Sequence, residues 1–142
     1  MTKERQYILK NMREGDKEYT KSQLRIFNFL KKFYDSVEME CVMNGLEEVD
    51  GIKPTIPPPK VDIVIHWSFK YGRIAIRVMG EIHENPRQKI KDEDQRVVLE
   101  GNGWKVEDLW YDDFPKTFFG TDEESEKELQ SWVDGELIRK RM

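Results

Sequence analysis

Hydrophobic and polar positions follow two different periods along the chain, and the changes between them divide it into predicted elements. Apolar residues recur every three or four positions from Ser22, the predicted cap, to Asp35, which predicts a helix with one apolar face. Alternation of apolar and polar residues from Val37 to Met43 predicts a half-exposed strand. Asn44-Gly45 then predicts a hairpin turn, with Leu46 to Val49 as the returning strand.

The middle of the chain carries the strongest pattern. Two runs rich in β-branched residues, Val61–Ile65 and Ile74–His83, are separated by the length of a hairpin loop. A polar helix follows, with Asn85 as its cap and Pro86 at its first position, and Trp104–Trp110 predicts a further strand. The helix residues expected to face the sheet are Ile90, Val97 and Val98. A helix between two strands usually connects a parallel pair, so the pattern predicts an α/β fold: a mixed sheet flanked by helices.

Length and composition limit the classes of protein to which the chain belongs. At 142 residues we expect one domain, with a helical lead-in over 1–35, a core over 36–116 and a C-terminal helix over 121–141. The absence of any long apolar run predicts no membrane span and favours a cytoplasmic protein. With a single cysteine, Cys41, the sequence predicts no intramolecular disulfide and no cysteine-based zinc site. The net charge of -4 argues against bulk attraction to nucleic acid but does not exclude a nuclease.

Acidic side chains on the two central runs suggest a metal site. If Tyr71-Gly72 is the centre of the hairpin turn, Asp62 lies opposite Glu81, within about 5.5 Å at Cβ. Two carboxylates this close repel each other unless they share a proton or a cation, and Mg²⁺ (or Mn²⁺) is a cation that carboxylates hold. His83 is expected on the same face, as a general base or a phosphate contact. A change of register by one residue would turn Glu81 to the other face.

Ordinary structural explanations stay open for the same residues. Acids at strand ends are usually solvated, and a histidine in that position is more often a surface residue than a catalytic one. His66 is a weaker candidate, because the sequence places no acid in obvious reach of it.

Four consecutive features have the order of a known enzyme family. A strand opens with Asp62, a strand ends in Gly80 followed by His83, a helix is rich in Asp and Arg, and a strand begins with Gly103-Trp104-Lys105-Val106. This order resembles the very-short-patch-repair endonuclease branch of the restriction-endonuclease-like superfamily, which carries the PD-(D/E)xK core. The resemblance covers roughly Lys60 to Trp110, about a third of the chain.

The resemblance implies a central mixed sheet flanked by helices and Mg²⁺-dependent DNA cleavage, with Asp62 as the matching metal ligand. Arg77 and Met79, however, stand where that branch has acids. Either Glu81 has replaced the missing acid, with His83 in the place of the superfamily's lysine, or the metal site is lost and Arg77 holds a phosphate or bridges to Asp62.

The first functional hypothesis is therefore a Mg²⁺-dependent DNA endonuclease with Asp62, Glu81 and His83 as its catalytic residues. The residues expected to contact DNA are Arg77, Lys89, Lys91 and Arg96. The second is a nuclease-fold protein that has lost catalysis and serves as a DNA-binding or assembly module. The third is a protein-interaction module, favoured by the net negative charge. The last helix packs on its own core or on a second copy, so a homodimer is one expected assembly.

Overall fold

The computed structural model describes residues 17–68 and 71–138, with side chains described over 21–68 and 71–135. The first 16 residues of the predicted lead-in lie outside this part of the chain. The helices and strands in chain order are α1 (Lys17–Leu30), β1 (Val37–Val42), β2 (Lys60–Ser68), β3 (Gly72–Met79), α2 (Pro86–Gly101), β4 (Trp104–Trp110), α3 (Pro115–Phe119) and α4 (Asp122–Trp132). A 3-10 helix over Glu81–Glu84 precedes α2, and a π-helical segment over Val133–Ile138 continues α4.

The four strands form one mixed sheet in the order β1-β2-β3-β4. The first three strands are antiparallel to their neighbours, and β3 and β4 are parallel. This confirms the predicted α/β fold, a mixed sheet flanked by helices, and the parallel pair joined by α2. The predicted return strand at Leu46–Val49 is wrong, because β2 pairs with β1 and only one isolated bridge, Val49 with Ile52, forms in the intervening loop.

Both faces of the sheet are covered by helices. Ile74 and Ile76 pack with α1 and α4, while Ala75, between them, packs with Leu99 of α2. Every residue from Ile74 to Met79 is at most 5% exposed, which makes β3 a fully buried central strand. A strand covered on both faces is an unbroken apolar run rather than an alternating one. A charged side chain in such a strand, as at Arg77, has to find its partners inside the protein.

The β2–β3 hairpin has a different register from the predicted one. Ile63 pairs with Ile76 and Ile65 pairs with Ile74, so continuing the ladder places Asp62 opposite Arg77 rather than Glu81. The centre of the hairpin turn lies about two residues earlier in the chain than predicted. Because a turn displaced by one residue changes the partner of a given residue by two positions, the residue opposite Asp62 changes from Glu81 to Arg77. The predicted opposition of Asp62 and Glu81 is therefore wrong.

The second central strand is also shorter than predicted. It ends at Met79, opposite Trp110, the last residue of its parallel partner. The chain then turns at Gly80 into the 3-10 helix, so Glu81 and His83 are not strand residues. The predicted extension of the strand to His83 is wrong because β4 ends there and offers no further hydrogen-bonding partner.

The helix boundaries are confirmed in part. The Asn85 side chain caps α2 with Pro86 at its start, as predicted. Ser22 is not a cap, because α1 already includes Lys17 and Ser22 lies inside it at 0% exposure. Ile90, expected to face the sheet, is 65% exposed.

Of the other two residues expected to face the sheet, Val98 is buried at 3% exposure and Val97 is half-buried. The predicted C-terminal helix is present as α4 and its π-helical continuation, as far as the described residues extend. No helix in the described ranges combines the length and the apolar character that crossing a membrane requires.

Candidate functional site

Arg77 is the centre of the polar group that lies between the sheet and α2. Its side chain is 6% exposed, and its Nε and Nη2 donate to the two carboxylate oxygens of Asp108, at 2.7 and 2.8 Å. Its Nη1 donates to the backbone oxygen of Asp92 at 2.7 Å and to Oε1 of Gln95 at 3.2 Å. Four of the five guanidinium N–H groups are therefore used, and little capacity is left for a ligand.

Asp108 is held in place by two arginines. It is the direct partner of Arg77 in the parallel β3–β4 ladder, and its side chain is only 10% exposed. Arg96, from α2, donates from Nη2 to the same carboxylate oxygen that Arg77 Nη2 contacts. Two-pronged arginine–carboxylate pairing of this kind is among the stronger hydrogen-bonded contacts in proteins. We call Arg77, Asp92, Gln95, Arg96 and Asp108 the Arg77 network.

The charge of Arg77 is stabilised in spite of its burial. Burial alone would lower the pKa of the guanidinium, but the hydrogen bonds to Asp108 and the negative charges of Asp108 and Asp92 raise it above its ordinary value. The arginine therefore stays charged inside the protein, and removing its partner Asp108 would leave a buried charge without compensation.

His83 reaches the network through Asp92. Its Nδ1 lies 2.8 Å from Oδ2 of Asp92, and Gln88 Nε2 donates to the other oxygen, Oδ1, at 2.9 Å. The His83 side chain is 16% exposed and that of Asp92 is 13% exposed. An imidazole oriented by a carboxylate in this way can accept or donate a proton, but holding the 3-10 helix against α2 explains the same contact.

Asp62 lies at the same end of the sheet as Arg77, and its carboxylate accepts a hydrogen bond from the backbone. Its Oδ2 accepts a hydrogen bond from the backbone N–H of Val78 at 2.7 Å. Its backbone oxygen accepts from Gln23 Nε2 at 3.0 Å, which ties the start of β2 to α1. Asp62 thus connects β2, β3 and α1.

The remaining predicted site residues are not brought together with Asp62. Glu81 is exposed on the 3-10 helix, and Lys89 and Lys91 are exposed on α2. Arg96 was predicted to contact DNA phosphate, but its guanidinium forms an ion pair with Asp108. Among the predicted residues, Arg77, Arg96 and His83 therefore belong to one connected group, and Glu81, Lys89 and Lys91 do not.

The donor set at this end of the sheet does not fit a Mg²⁺ ion. Proteins usually hold Mg²⁺ through one or two carboxylates together with phosphate and water oxygens. Neither Asp62 nor Glu81 belongs to a described group of three or more potential ligands whose ligand atoms all lie within 4.8 Å of one another. The position opposite Asp62 is occupied by a cation, Arg77, which would repel a metal ion.

A cavity of about 370 Å³ borders the network. It lies between α2 and the proline-rich loop that precedes β2. Asp92 and Gln95 line it from the helix, and Lys53 and Pro54 line it from the loop. Asp92, which contacts His83, is therefore accessible from this cavity.

Sequence reasoning missed the partners of Arg77. The parallel pairing of β3 with β4 is predictable from the helix between them, but the register that sets Arg77 beside Asp108 is not. The charge pattern offered a signal, because Arg77 interrupts the apolar run from Ile74 to Met79 and the acids Glu107 and Asp108 interrupt β4. His66 was also misjudged: its Nε2 lies 2.8 Å from Oε1 of Glu38, so an acid is in reach.

Comparisons with protein-family models, with curated proteins and with solved structures found no match to this chain. The fold and the site therefore define it as an α/β protein with a buried arginine–carboxylate network at the end of its parallel strands.

Proposed function

We propose that this chain is a nuclease-fold protein that has lost metal-dependent cleavage and that binds DNA without cutting it. One observation carries the proposal: Arg77, opposite Asp62, is buried and paired through two hydrogen bonds with Asp108. This is the strand position at which the resembling endonuclease branch has an acid. A buried ion pair there leaves no carboxylate free to share a cation with Asp62.

The order of the elements supports a nuclease-like origin for the fold. A leading helix, α1, precedes the sheet, and Asp62 lies near the start of β2. The next strand ends just before Gly80, α2 follows, and Trp104 begins the parallel strand β4. This is the order of features on which the resemblance rests, except that His83 lies on the 3-10 helix and not at the end of a strand.

Binding of DNA is supported by exposed cations on α2 and on the neighbouring loop. Arg87, Lys89 and Lys91 are exposed, and none of the ion pairs found among the described residues involves them. Lys53 lines the same cavity as Lys91. Contacts from such side chains to phosphates provide affinity that depends on salt and little on base sequence.

The binding experiment measures fluorescence anisotropy of a labelled duplex over a range of salt concentrations. We expect the logarithm of the binding constant to fall linearly with the logarithm of salt concentration. The double variant Lys89→Ala/Lys91→Ala should reduce that slope by about 2, because each lost phosphate contact removes about 0.9. The matched control Lys21→Ala/Lys127→Ala removes the same charge from exposed positions on α1 and α4, which cover the other face of the sheet, and should leave the slope unchanged.

The cleavage experiment incubates supercoiled and branched DNA with Mg²⁺ or Mn²⁺. We expect no cleavage by the wild-type chain. Metal-dependent cutting that disappears in Asp62→Ala and in Glu81→Ala would overturn the proposal in favour of an active endonuclease. Cutting that persists in both variants would show that another site or a contaminating nuclease is responsible.

A protein-interaction function is the second candidate, because two large apolar side chains near the site are open to solvent. Ile82 on the 3-10 helix is 69% exposed and Ile90 on α2 is 65% exposed. Absence of DNA binding even at low salt would favour this function. Light scattering on the purified chain measures whether the partner is a second copy, as the expected homodimer requires.

A further inference from the structure

A second group of chemically capable side chains lies at the edge of the sheet formed by β1, away from the Arg77–Asp108 pair on β3 and β4. Glu38 and Cys41 belong to β1 and His66 to β2. Each offers one ligand atom, and the carboxylate oxygen, the thiol sulfur and the imidazole nitrogen all lie within 4.8 Å of one another. Within the described residues, no other group of three or more such side chains meets this limit.

An unusual backbone conformation brings Cys41 to the side of the sheet that carries the other two ligands. In a regular strand, residues three apart point to opposite faces, which would separate Glu38 from Cys41. Glu40 lies between them with φ of 51°, a left-handed conformation that is costly for a non-glycine residue. As a result Met39 packs with the cluster beneath α1 and α4, whereas Cys41 packs with Val64 on the face covered by α2.

The three side chains differ in exposure in a way that suits ion capture. Cys41 is 8% exposed, so its sulfur forms the floor of the group. The side chains of Glu38 and His66 are 54% and 43% exposed, so an ion has access from solvent. Their direct contact, 2.8 Å between His66 Nε2 and Glu38 Oε1, shows that both already point to one place.

The His66 ring has a fixed neighbour on its other side. Its edge lies against Trp104, with ring centroids 6.4 Å apart and an interplanar angle of 67°. The Arg73 guanidinium in turn covers the Trp104 ring at 4.5 Å from its centroid. This stacking restricts the imidazole to a narrow range of orientations, as supporting residues do for metal-binding histidines.

We propose that Glu38, Cys41 and His66 form a three-ligand site for Zn²⁺. Zinc takes thiolate, imidazole and carboxylate ligands at about 2.0–2.3 Å, so tetrahedral ligand atoms lie roughly 3.3–3.8 Å apart. The three ligand atoms already lie within 4.8 Å of one another, so reaching these values needs each separation to change by no more than about 1.5 Å. Binding displaces the thiol proton of Cys41 to solvent, and the fourth coordination position stays open for water or an external ligand.

The same residues do not suit two other chemistries. Mg²⁺ prefers oxygen ligands, whereas sulfur and nitrogen make up two of the three donors here. A cysteine nucleophile needs a lowered thiol pKa, but burial and then the neighbouring Glu38 raise the pKa of Cys41; a bound cation would offset the effect of Glu38, which a nucleophile without a cation does not have.

The test uses Co²⁺ as a spectroscopic probe added to the full, metal-free chain. We expect one Co²⁺ to bind per chain, with thiolate-to-cobalt charge-transfer absorption and the intense visible bands of tetrahedral cobalt. Because Cys41 is the sole cysteine of the sequence, the charge-transfer band can arise from no other residue. Zn²⁺ should displace the Co²⁺, and a large excess of Mg²⁺ should not.

Variants of the two exposed ligands separate a three-ligand site from adventitious thiol binding. His66→Gln and Glu38→Gln should each weaken Co²⁺ binding by at least about tenfold, since even supporting residues of metal sites have effects of that size. The matched controls His83→Gln and Glu48→Gln, outside the group, should bind as the wild type does. His66→Gln and Glu38→Gln both change exposed side chains and leave the buried Cys41 in place. Folding should therefore be retained, as circular dichroism can check.

Three results would overturn the proposal. The first is absence of the charge-transfer band at millimolar Co²⁺ in the wild-type chain. The second is unchanged affinity in both His66→Gln and Glu38→Gln, because a thiol alone would then account for binding. The third is one Co²⁺ for every two chains, which would place the ion between copies rather than within one.

Discussion

Replacement of Arg77 by methionine tests whether the buried network is structural. Methionine has a similar length and no charge, so Arg77→Met leaves the Asp108 carboxylate, 10% exposed, with Arg96 as its remaining cation. The backbone oxygen of Asp92 and the amide oxygen of Gln95 also lose their donor. Removing one partner of a buried ion pair typically costs about 3–5 kcal/mol, because the other charge stays buried without compensation.

The assay is urea denaturation followed by tryptophan fluorescence. With a slope of about 2 kcal/mol per molar urea, a loss of 3–5 kcal/mol lowers the midpoint by about 1.5–2.5 M. Arg77→Lys keeps the charge but not the two-pronged geometry, so its midpoint should fall between those of the wild type and Arg77→Met.

The double variant Arg77→Met/Asp108→Leu is the decisive control. It removes both buried charges, and replacing a whole buried pair by apolar residues is often close to neutral. We therefore expect it to recover at least half of the stability that Arg77→Met loses. Arg96 then loses its buried partner, but its side chain is 27% exposed and near Glu93, so it can turn to solvent.

A cost of less than about 1 kcal/mol for Arg77→Met would refute this reasoning, since a cost so small is typical of an exposed ion pair. Arg77 would then be free to hold a phosphate, and the proposed explanation for the loss of the metal site would fail.

The strand register, the cap of α4 and the Glu124 carboxylate each lead to a further prediction. Arg77→Asp places a carboxylate opposite Asp62, so Mg²⁺ should raise the melting temperature of this variant and not that of the wild type; equal shifts in both would contradict the assignment. Thr121→Ala removes the side chain that caps α4 and should cost about 1 kcal/mol, while the exposed control Ser131→Ala should be nearly neutral in the same denaturation assay. Hydrogen bonding to the backbone of Thr121 and the charge of Lys116 lower the pKa of Glu124 from 4.5. The ionised Glu124 therefore stabilises the fold above pH 4.5, and this stabilisation is lost as the pH falls toward the lowered pKa. The variant Glu124→Gln should remove this part of the acid dependence of unfolding.

Local patterns in the sequence were sufficient for most of the elements. The strand Trp104–Trp110 and the Asn85 cap of α2 have the predicted boundaries, because each depends on residues next to one another in the chain. The capping box at Thr121 and Glu124 was predictable for the same reason. The exposed Ile90 shows where periodicity fails. On a mostly polar helix, the spacing of the few apolar residues does not determine which of them faces the sheet.

Contacts between distant segments were beyond local reasoning. The group of Glu38, Cys41 and His66 depends on the pairing of β1 with β2 and on the positive φ of Glu40. Strict alternation of residues along β1 would have placed Cys41 on the opposite face. Neither the pairing nor the backbone conformation has a signature in the residues themselves, since glutamate is an uncommon choice for a positive φ.

The position of one turn decides between the two alternatives of the nuclease hypothesis, which are replacement of the missing acid by Glu81 and loss of the metal site. A turn centred at Tyr71-Gly72 would have set Glu81 against Asp62, whereas the observed register sets Arg77 there. The β4 strand then places Asp108 directly beside Arg77, on the other side of β3 from Asp62. A migrated acid would have needed β3 to continue past Met79, but the chain turns away at Gly80 into the 3-10 helix. Under the nuclease-like origin proposed above, this register favours an internal ion pair in place of the metal, because Arg77 is paired with Asp108 and lies opposite Asp62 in the strand ladder.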